Sequence, residues 1–162
     1  MYLSTDKELT QVFGEWLATL AEWEWFATFT FRDPPTNQRG WTRVGWKFAH
    51  SALRHWGDEL QKACFGDKQP RWVALMEYQR WRGVPHWHLL VANVPLSQRR
   101  MDWVDWWYKR YGIARVLPYD PALGARYYLA KYLTKEVADI QFSASFAVDR
   151  YLLDKYLSNA RI

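Results

Sequence analysis

The sequence predicts an α+β fold: an antiparallel sheet with helices packed on one face. Three observations lead there. Trp25–Phe31 alternates with the period of a strand; Trp72–Tyr78 and Val84–Val91 lie close enough in sequence to form a hairpin; and apolar residues recur at helical spacing around them. In chain order this gives helix, strand, helix, strand, strand, helix, strand, helix. After the first helix, that is the βαββαβ succession of ferredoxin-like or RRM-like domains.

Each element has its own signal. Thr5 and Glu8 form a capping box for a first helix over 5–22, with Leu9, Val12, Phe13, Trp16, Leu17 and Leu20 along one side. In the first strand Trp25, Ala27, Phe29 and Phe31 face one way, and Phe26, Thr28 and Thr30 the other. Arg32–Gly40 carries turn residues throughout and reads as a loop. A second helix is expected over 41–62, with Arg43, Lys47, His50 and Arg54 on one side. If Arg80–Gly83 makes the hairpin turn, Gln79 pairs with Val84 and Glu77 lies opposite His86. Ser97 is positioned to cap a third helix to Tyr111, rich in Trp103, Trp106 and Trp107. Gly112 stops it, and Ile113–Leu117 follows as a fourth strand. Asp120 as cap and Pro121 at the first position open a helix to about Val137. Residues 138–162 read as a helical tail, with a last helix over Val148–Leu157. No linker or repeat divides the chain, so a single domain over 1–162 with its core in 24–137 is expected.

Composition narrows the function classes. A formal net charge of +5 and a sequence pI near 9.3 favour polyanionic partners. The 12 Trp, 10 Tyr and 8 Phe belong mostly to a core, yet at that density some can serve as platforms for unpaired bases. Cys64 is the only cysteine, which excludes an intrachain disulfide and a cysteine-based zinc site. Nothing resembles a signal peptide or a membrane span, so a soluble, cytoplasmic protein with no membrane partner is expected.

The chemistry-bearing residues fall in two places. His86 and His88 alternate with Pro85, Trp87, Leu89 and Val91, so both imidazoles project from the face opposite the core. Glu77 joins them provided no bulge shifts the hairpin register. Two nitrogens and a carboxylate suit a divalent metal with positions open for a substrate. Two unrelated histidines on a half-exposed strand give the same pattern. On the last helix, Tyr128, Lys131, Tyr132 and Lys135 share one arc, and Leu123, Ala130, Leu133 and Val137 form the opposite, packing side. That stripe reads equally as a solvated face. Together, strand and helix suggest more. A phenol with a pKa near ~10 is a poor nucleophile, and metal and ammonium charges are what phosphodiester attack by it requires.

Pro85-His-Trp-His-Leu-Leu-Val91 resembles the His-hydrophobe-His motif of HUH endonucleases, and Tyr128-Leu-Ala-Lys131 resembles the Tyr-x-x-Lys motif of rolling-circle replication initiators. The longer run to Lys135 is similar to the two-tyrosine form in gene A type initiators of small bacteriophages. Phe26–Phe31 resembles the first strand motif of the same group. The likeness covers Trp25 to Glu136. It implies a site-specific nuclease and strand transferase for single-stranded DNA, starting rolling-circle replication of a plasmid or phage in a prokaryotic cytoplasm. Glu77, His86 and His88 would hold Mg²⁺ or Mn²⁺. Tyr128 would attack the scissile phosphate, with Lys131 as electrostatic partner and Tyr132 as second nucleophile, leaving a 5′-phosphotyrosine and a free 3′-OH.

The implied partners are single-stranded DNA or an origin hairpin, a polymerase, and a separate helicase, since no Gly-x-x-x-x-Gly-Lys phosphate loop is present. Arg32, Arg43, Lys47, Arg54 and Lys135 are candidate DNA contacts, or else ordinary solvated charges. His50 and His55 read as structural or surface residues. Two other readings stand beside this one. A single-tyrosine transposase of the same superfamily shares the histidine strand, although such enzymes usually carry Gln after the tyrosine, where this chain has Lys131 and Tyr132. A non-catalytic RRM-like binder would stack bases on Phe26 and Tyr78.

Overall fold

The computed structural model describes residues 3–33, 44–64, 68–79, 84–129 and 137–146. The elements are α1 (Leu3–Leu20), β1 (Trp23–Phe31), α2 (Trp46–Ala63), β2 (Arg71–Gln79), β3 (Val84–Ala92), α3 (Arg100–Arg110), β4 (Gly112–Pro118), α4 (Gly124–Tyr128) and β5 (Val137–Phe142). They build one five-stranded sheet in the order β4-β1-β3-β2-β5, every neighbouring pair antiparallel. The first four strands have the ferredoxin-like, RRM-like order that the sequence predicts.

Alternation along β1 decides which face becomes the core. Its odd-numbered residues from Trp23 to Phe31 are buried and its even-numbered ones half-buried. Trp25, Ala27, Phe29 and Phe31 join Trp72, Met76, Trp87 and Leu89 beneath Leu53, Trp56 and Leu60 of α2 and Trp103 and Trp107 of α3. Buried indoles need an acceptor, and here they find backbone carbonyls. Trp87 Nε1 donates to Ala49 O at 3.0 Å, and Trp107 Nε1 to Thr30 O at 3.1 Å. Gly112 starts β4 where no side chain fits: a Cβ there would meet Thr30 O at 2.1 Å.

The other face is not bare, contrary to the expectation of helices on one side only. Phe13 and Leu17 of α1, with Ala125, Tyr128 and the adjoining Leu129, cover Val73, Leu75, Leu90 and Ile140. The cause is visible in β3, where both parities are apolar. Leu90 and Ala92 need cover on this face just as Leu89 and Val91 do on the other. Cover stops short of β3's beginning, where His86 is only half-buried.

Several boundaries move. α1 starts at Leu3, ahead of the expected Thr5 cap. α2 starts at Trp46 with Gly45 as N-cap, and α3 at Arg100 because Pro95–Gln98 forms a turn first. Asp120 Oδ1 does accept the Ala122 N–H at 2.9 Å, as a cap should. Gly124 then takes φ +74°, and the described helix spans only Gly124–Tyr128. The largest correction is β5. Residues 139–142, expected in a helical tail, pair with β2 instead. Ile140 joins the apolar cluster under α1, and Asp139 lies 2.7 Å from His50 on α2, tying the edge strand to the helix on the opposite face. The expected helix over Val148–Leu157 lies outside the described residues. No described helix is long and apolar enough to cross a membrane.

Candidate functional site

Register brings the histidines and their neighbours together in rows across the sheet. Thr30 pairs with both Ile113 and His86, and His86 pairs with Glu77. In the next row Thr28 pairs with Arg115 and His88, and His88 with Leu75. Directly opposed residues share a face, so these side chains lie on the α1/α4 face, where Leu75 and His88 are buried and Thr28, Thr30, Glu77 and His86 half-buried. The hairpin register is the one that the sequence predicts, with Glu77 opposite His86 and Gln79 opposite Val84. The only irregularity along β2 lies on its other side, against β5.

Contacts within this cluster are specific. His88 Nε2 lies 2.9 Å from Glu77 Oε2, in a pair whose side chains are 7% and 21% exposed. An ionised carboxylate only accepts, so Nε2 carries the proton in this contact, and a neutral His88 then accepts at Nδ1. Thr28 Oγ1 sits 3.3 Å from that Nδ1, and Thr30 Oγ1 lies 2.8 Å from His86 Nδ1. A hydroxyl both donates and accepts, so Thr28 can serve Nδ1 of either neutral or protonated His88. Strand parity puts both threonines on this face with Phe26, but does not mark them as imidazole partners. That takes the long-range β1–β3 register, which no local pattern supplies.

The donors here, two imidazoles and a carboxylate, are of kinds that bind divalent metals. They are not assembled as one: among the described residues no three His, Cys, Asp or Glu side chains are grouped so as to hold a metal ion. Glu77 and His88 contact each other through atoms that a metal would use.

Tyr128 lies elsewhere than expected. Instead of standing on a solvated arc, it is 6% exposed and packs with Ala125 and Leu129 against the sheet, whereas Leu123, assigned to the packing side, is 48% exposed. Gly124, the first residue of α4, has φ +74°, so Leu123 before it does not share the helical phase of Tyr128 after it. The Tyr128 ring sits 4.8 Å from Phe26, whose ring in turn stacks on His88 at 6.5 Å. Its hydroxyl oxygen accepts the Asp120 N–H at 3.0 Å. Tyr119 packs 5.0 Å from Tyr128, and burial first, then Tyr128 and Asp120, raises its phenol pKa above the usual value. Tyr127, next in sequence, is 51% exposed.

The remaining candidates divide. Lys131, Tyr132, Lys135 and Arg43 lie outside the described residues. Lys47 and Arg54 are exposed on α2, which covers the tryptophan face, and so lie across the sheet from the histidines. Arg32 leaves the end of β1 for the same side, donating to Tyr108 O and lying over the Tyr108 ring at 5.4 Å. The structure therefore does not bring these three cations together with His86 and His88. His50 and His55 are engaged by Asp139 and by the Tyr111 hydroxyl, as structural residues are.

The model of a family of replication-associated proteins, the ORF2 type, matches residues 24–137, a span that holds the histidine strand, Tyr128, Lys131 and Tyr132. No curated protein and no solved structure gives a match.

Proposed function

The chain belongs to this ORF2-type family of replication-associated proteins, and from that premise we propose that it nicks and rejoins single-stranded DNA to initiate rolling-circle replication, as HUH initiators of the two-tyrosine type do. The observation that carries this reading is the group of polar side chains that the strand register gathers on the α1/α4 face of the sheet. There Glu77, His86, His88, Thr28 and Thr30 share one surface, with Phe26 linking His88 to Tyr128.

The proposed roles follow from the contacts. Glu77, His86 and His88 would hold Mg²⁺ or Mn²⁺, which supplies charge to polarise a phosphate oxygen. Thr28 and Thr30 orient the two imidazoles through Nδ1, the outer-shell contact that ligating histidines need. Tyr128 is the nucleophile. Its oxygen bonds to the scissile phosphorus, its proton passes to solvent, and the P–O3′ bond breaks with the 3′ oxygen taking a proton from solvent, leaving a 5′-phosphotyrosine and a 3′-OH for a polymerase. Tyr128 is held in reserve, because its hydroxyl is buried and bonded to Asp120 N–H and must swing past Phe26 to reach DNA. Lys131 offsets charge at the phosphate, and Tyr132 acts when the displaced strand is cut. The polymerase and an unwinding enzyme are separate partners, and the cytoplasm of a plasmid- or phage-bearing prokaryote is the setting.

The test is incubation of the full chain with mixed single-stranded oligonucleotides and Mn²⁺, followed by mass mapping of any DNA-linked tyrosine. Tyr128→Phe removes the first adduct, Tyr127→Phe does not, and EDTA stops the reaction. Equal adduct formation by the wild type and a Tyr128/Tyr132 double Phe variant overturns the nuclease assignment. Binding without any adduct under all metal conditions favours the RRM-like binder, for which Phe26 is half-buried on the same face.

A further inference from the structure

Beyond the histidines, the same face continues onto the edge strand β4, which alternates sharply. Gly112, Ala114 and Val116 are buried under α3, while Ile113, Arg115 and Leu117 point to the other side and are exposed. Ile113 is 64% exposed and Leu117 39%, although neighbouring strands bury their apolar residues on this face beneath α1 and α4. Scattered surface hydrophobics are ordinary. These are not scattered: they flank an arginine, and all three are in register with the proposed site. Ile113 lies in the row of Thr30 and His86, Arg115 in that of Thr28 and His88, and Leu117 opposite Phe26. Among the described residues the Arg115 guanidinium has no carboxylate or hydrogen-bond partner, unlike Arg32, Arg100 and Arg110, which donate to backbone carbonyls.

We infer that β4 is the DNA-seating edge of the site: Arg115 takes a backbone phosphate beside the scissile one, and Ile113 and Leu117 lie against the sugars and bases of the same strand. The inference deepens the nuclease reading and rests on it. Charge complementarity selects the occupant, a cation between two apolar side chains matching the alternation of phosphate and base along a single strand. Strand spacing sets the scale. Arg115 is two strands from His88, about 10 Å between backbones at ~4.8 Å per strand, so its phosphate is a neighbour of the reacting one. The cations Lys47 and Arg54, across the sheet, cannot do this from where they stand.

The test is fluorescence anisotropy of the full chain with a labelled mixed-sequence single-stranded DNA oligonucleotide, without divalent metal and over a salt series. Losing one phosphate contact reduces the magnitude of the slope of log affinity against log salt by about 0.7. Arg115→Gln is expected to show that drop and Arg115→Lys to keep the wild-type slope. Lys109→Gln, on α3 across the sheet, removes the same net charge and keeps the slope too. Ile113→Ser is expected to weaken binding severalfold with the slope unchanged. An Arg115→Gln slope equal to that of the wild type, or a drop matched by Lys109→Gln, overturns the β4 edge while DNA-linked tyrosine still forms. If the wild-type chain neither binds this oligonucleotide nor forms an adduct with it, the nuclease reading falls and the edge with it. The substituted side chains are all exposed, and unchanged circular dichroism shows that the variants fold.

Discussion

The two faces of the sheet are built from the same strands and treat their polar groups in opposite ways. Against α2 and α3, the strands contribute large apolar side chains, and the indole N–H groups of Trp87 and Trp107 are spent on backbone carbonyls. Against α1 and α4, the apolar side chains of Val73, Leu75 and Leu90 share the face with Thr28, Thr30, His86, His88, Glu77 and Arg115. The difference teaches where stability and chemistry reside. A closed face supplies rigidity, so the half-open one can carry side chains that bond to each other through polar atoms and remain within reach of solvent.

Substitutions should separate the two faces, and the largest effect belongs to the closed one. Trp87→Ala removes a side chain with no exposed area, and loses its bond to Ala49 O. We expect a loss of about 3–5 kcal/mol in urea unfolding. A loss under about 1 kcal/mol would show that the tryptophan face is not the structural one. Thr30→Val comes next and inverts the pattern. It removes the hydroxyl 2.8 Å from His86 Nδ1 while keeping the shape of the side chain. Cleavage should fall about tenfold to a hundredfold, the usual effect of losing an outer-shell partner of a ligating histidine, with the urea midpoint almost unmoved. Unchanged cleavage would detach the threonines from the site. Smaller still is the effect of Tyr128→Phe on folding, as distinct from adduct formation. Its one described hydrogen bond, from Asp120 N–H, is worth about 1 kcal/mol. A much larger loss would mean that Tyr128 serves the core first.

How much the sequence reveals depends on how local each signal is. The hairpin register is readable because β2 and β3 are adjacent in sequence and their turn limits the pairing, so Glu77 opposite His86 follows from residue counting. The parity of β1 is readable for the same reason. Thr28 and Thr30 do not show as imidazole partners, because β1 meets β3 only after α2 and β2 have intervened. β5 escapes detection because Val137-Ala-Asp-Ile-Gln-Phe142 is short, and Ala, Asp and Gln are weak strand formers. It is a strand by virtue of its partner β2. The exposure of Leu123 is hidden because one residue in a left-handed conformation, Gly124, breaks the phase on which a helical wheel relies, and the burial of Tyr128 is hidden because it comes from packing against Phe26 of β1, far away in sequence.

The smallest effect is a pH dependence that both faces share. Tyr111, on the α3 side, and Tyr119, beside Tyr128, each have a phenol pKa pushed up, in both cases first by burial. A group whose pKa is higher folded than unfolded favours the folded state fully below the unfolded value, near ~10, and loses that contribution as pH rises through the folded one. Melting temperature should therefore fall on the alkaline side from about that value upward. Tyr111→Phe and Tyr119→Phe should each flatten the fall, since neither Phe can ionise. Tyr128→Phe should reduce the part due to Tyr119 as well, because the Tyr128 hydroxyl is among the groups that raise the pKa of Tyr119. If Tyr128→Phe leaves the alkaline limb of a Tyr111→Phe background unchanged, the two phenols of the open face are not electrostatically coupled, and the aromatic group around Phe26 is held together by packing alone.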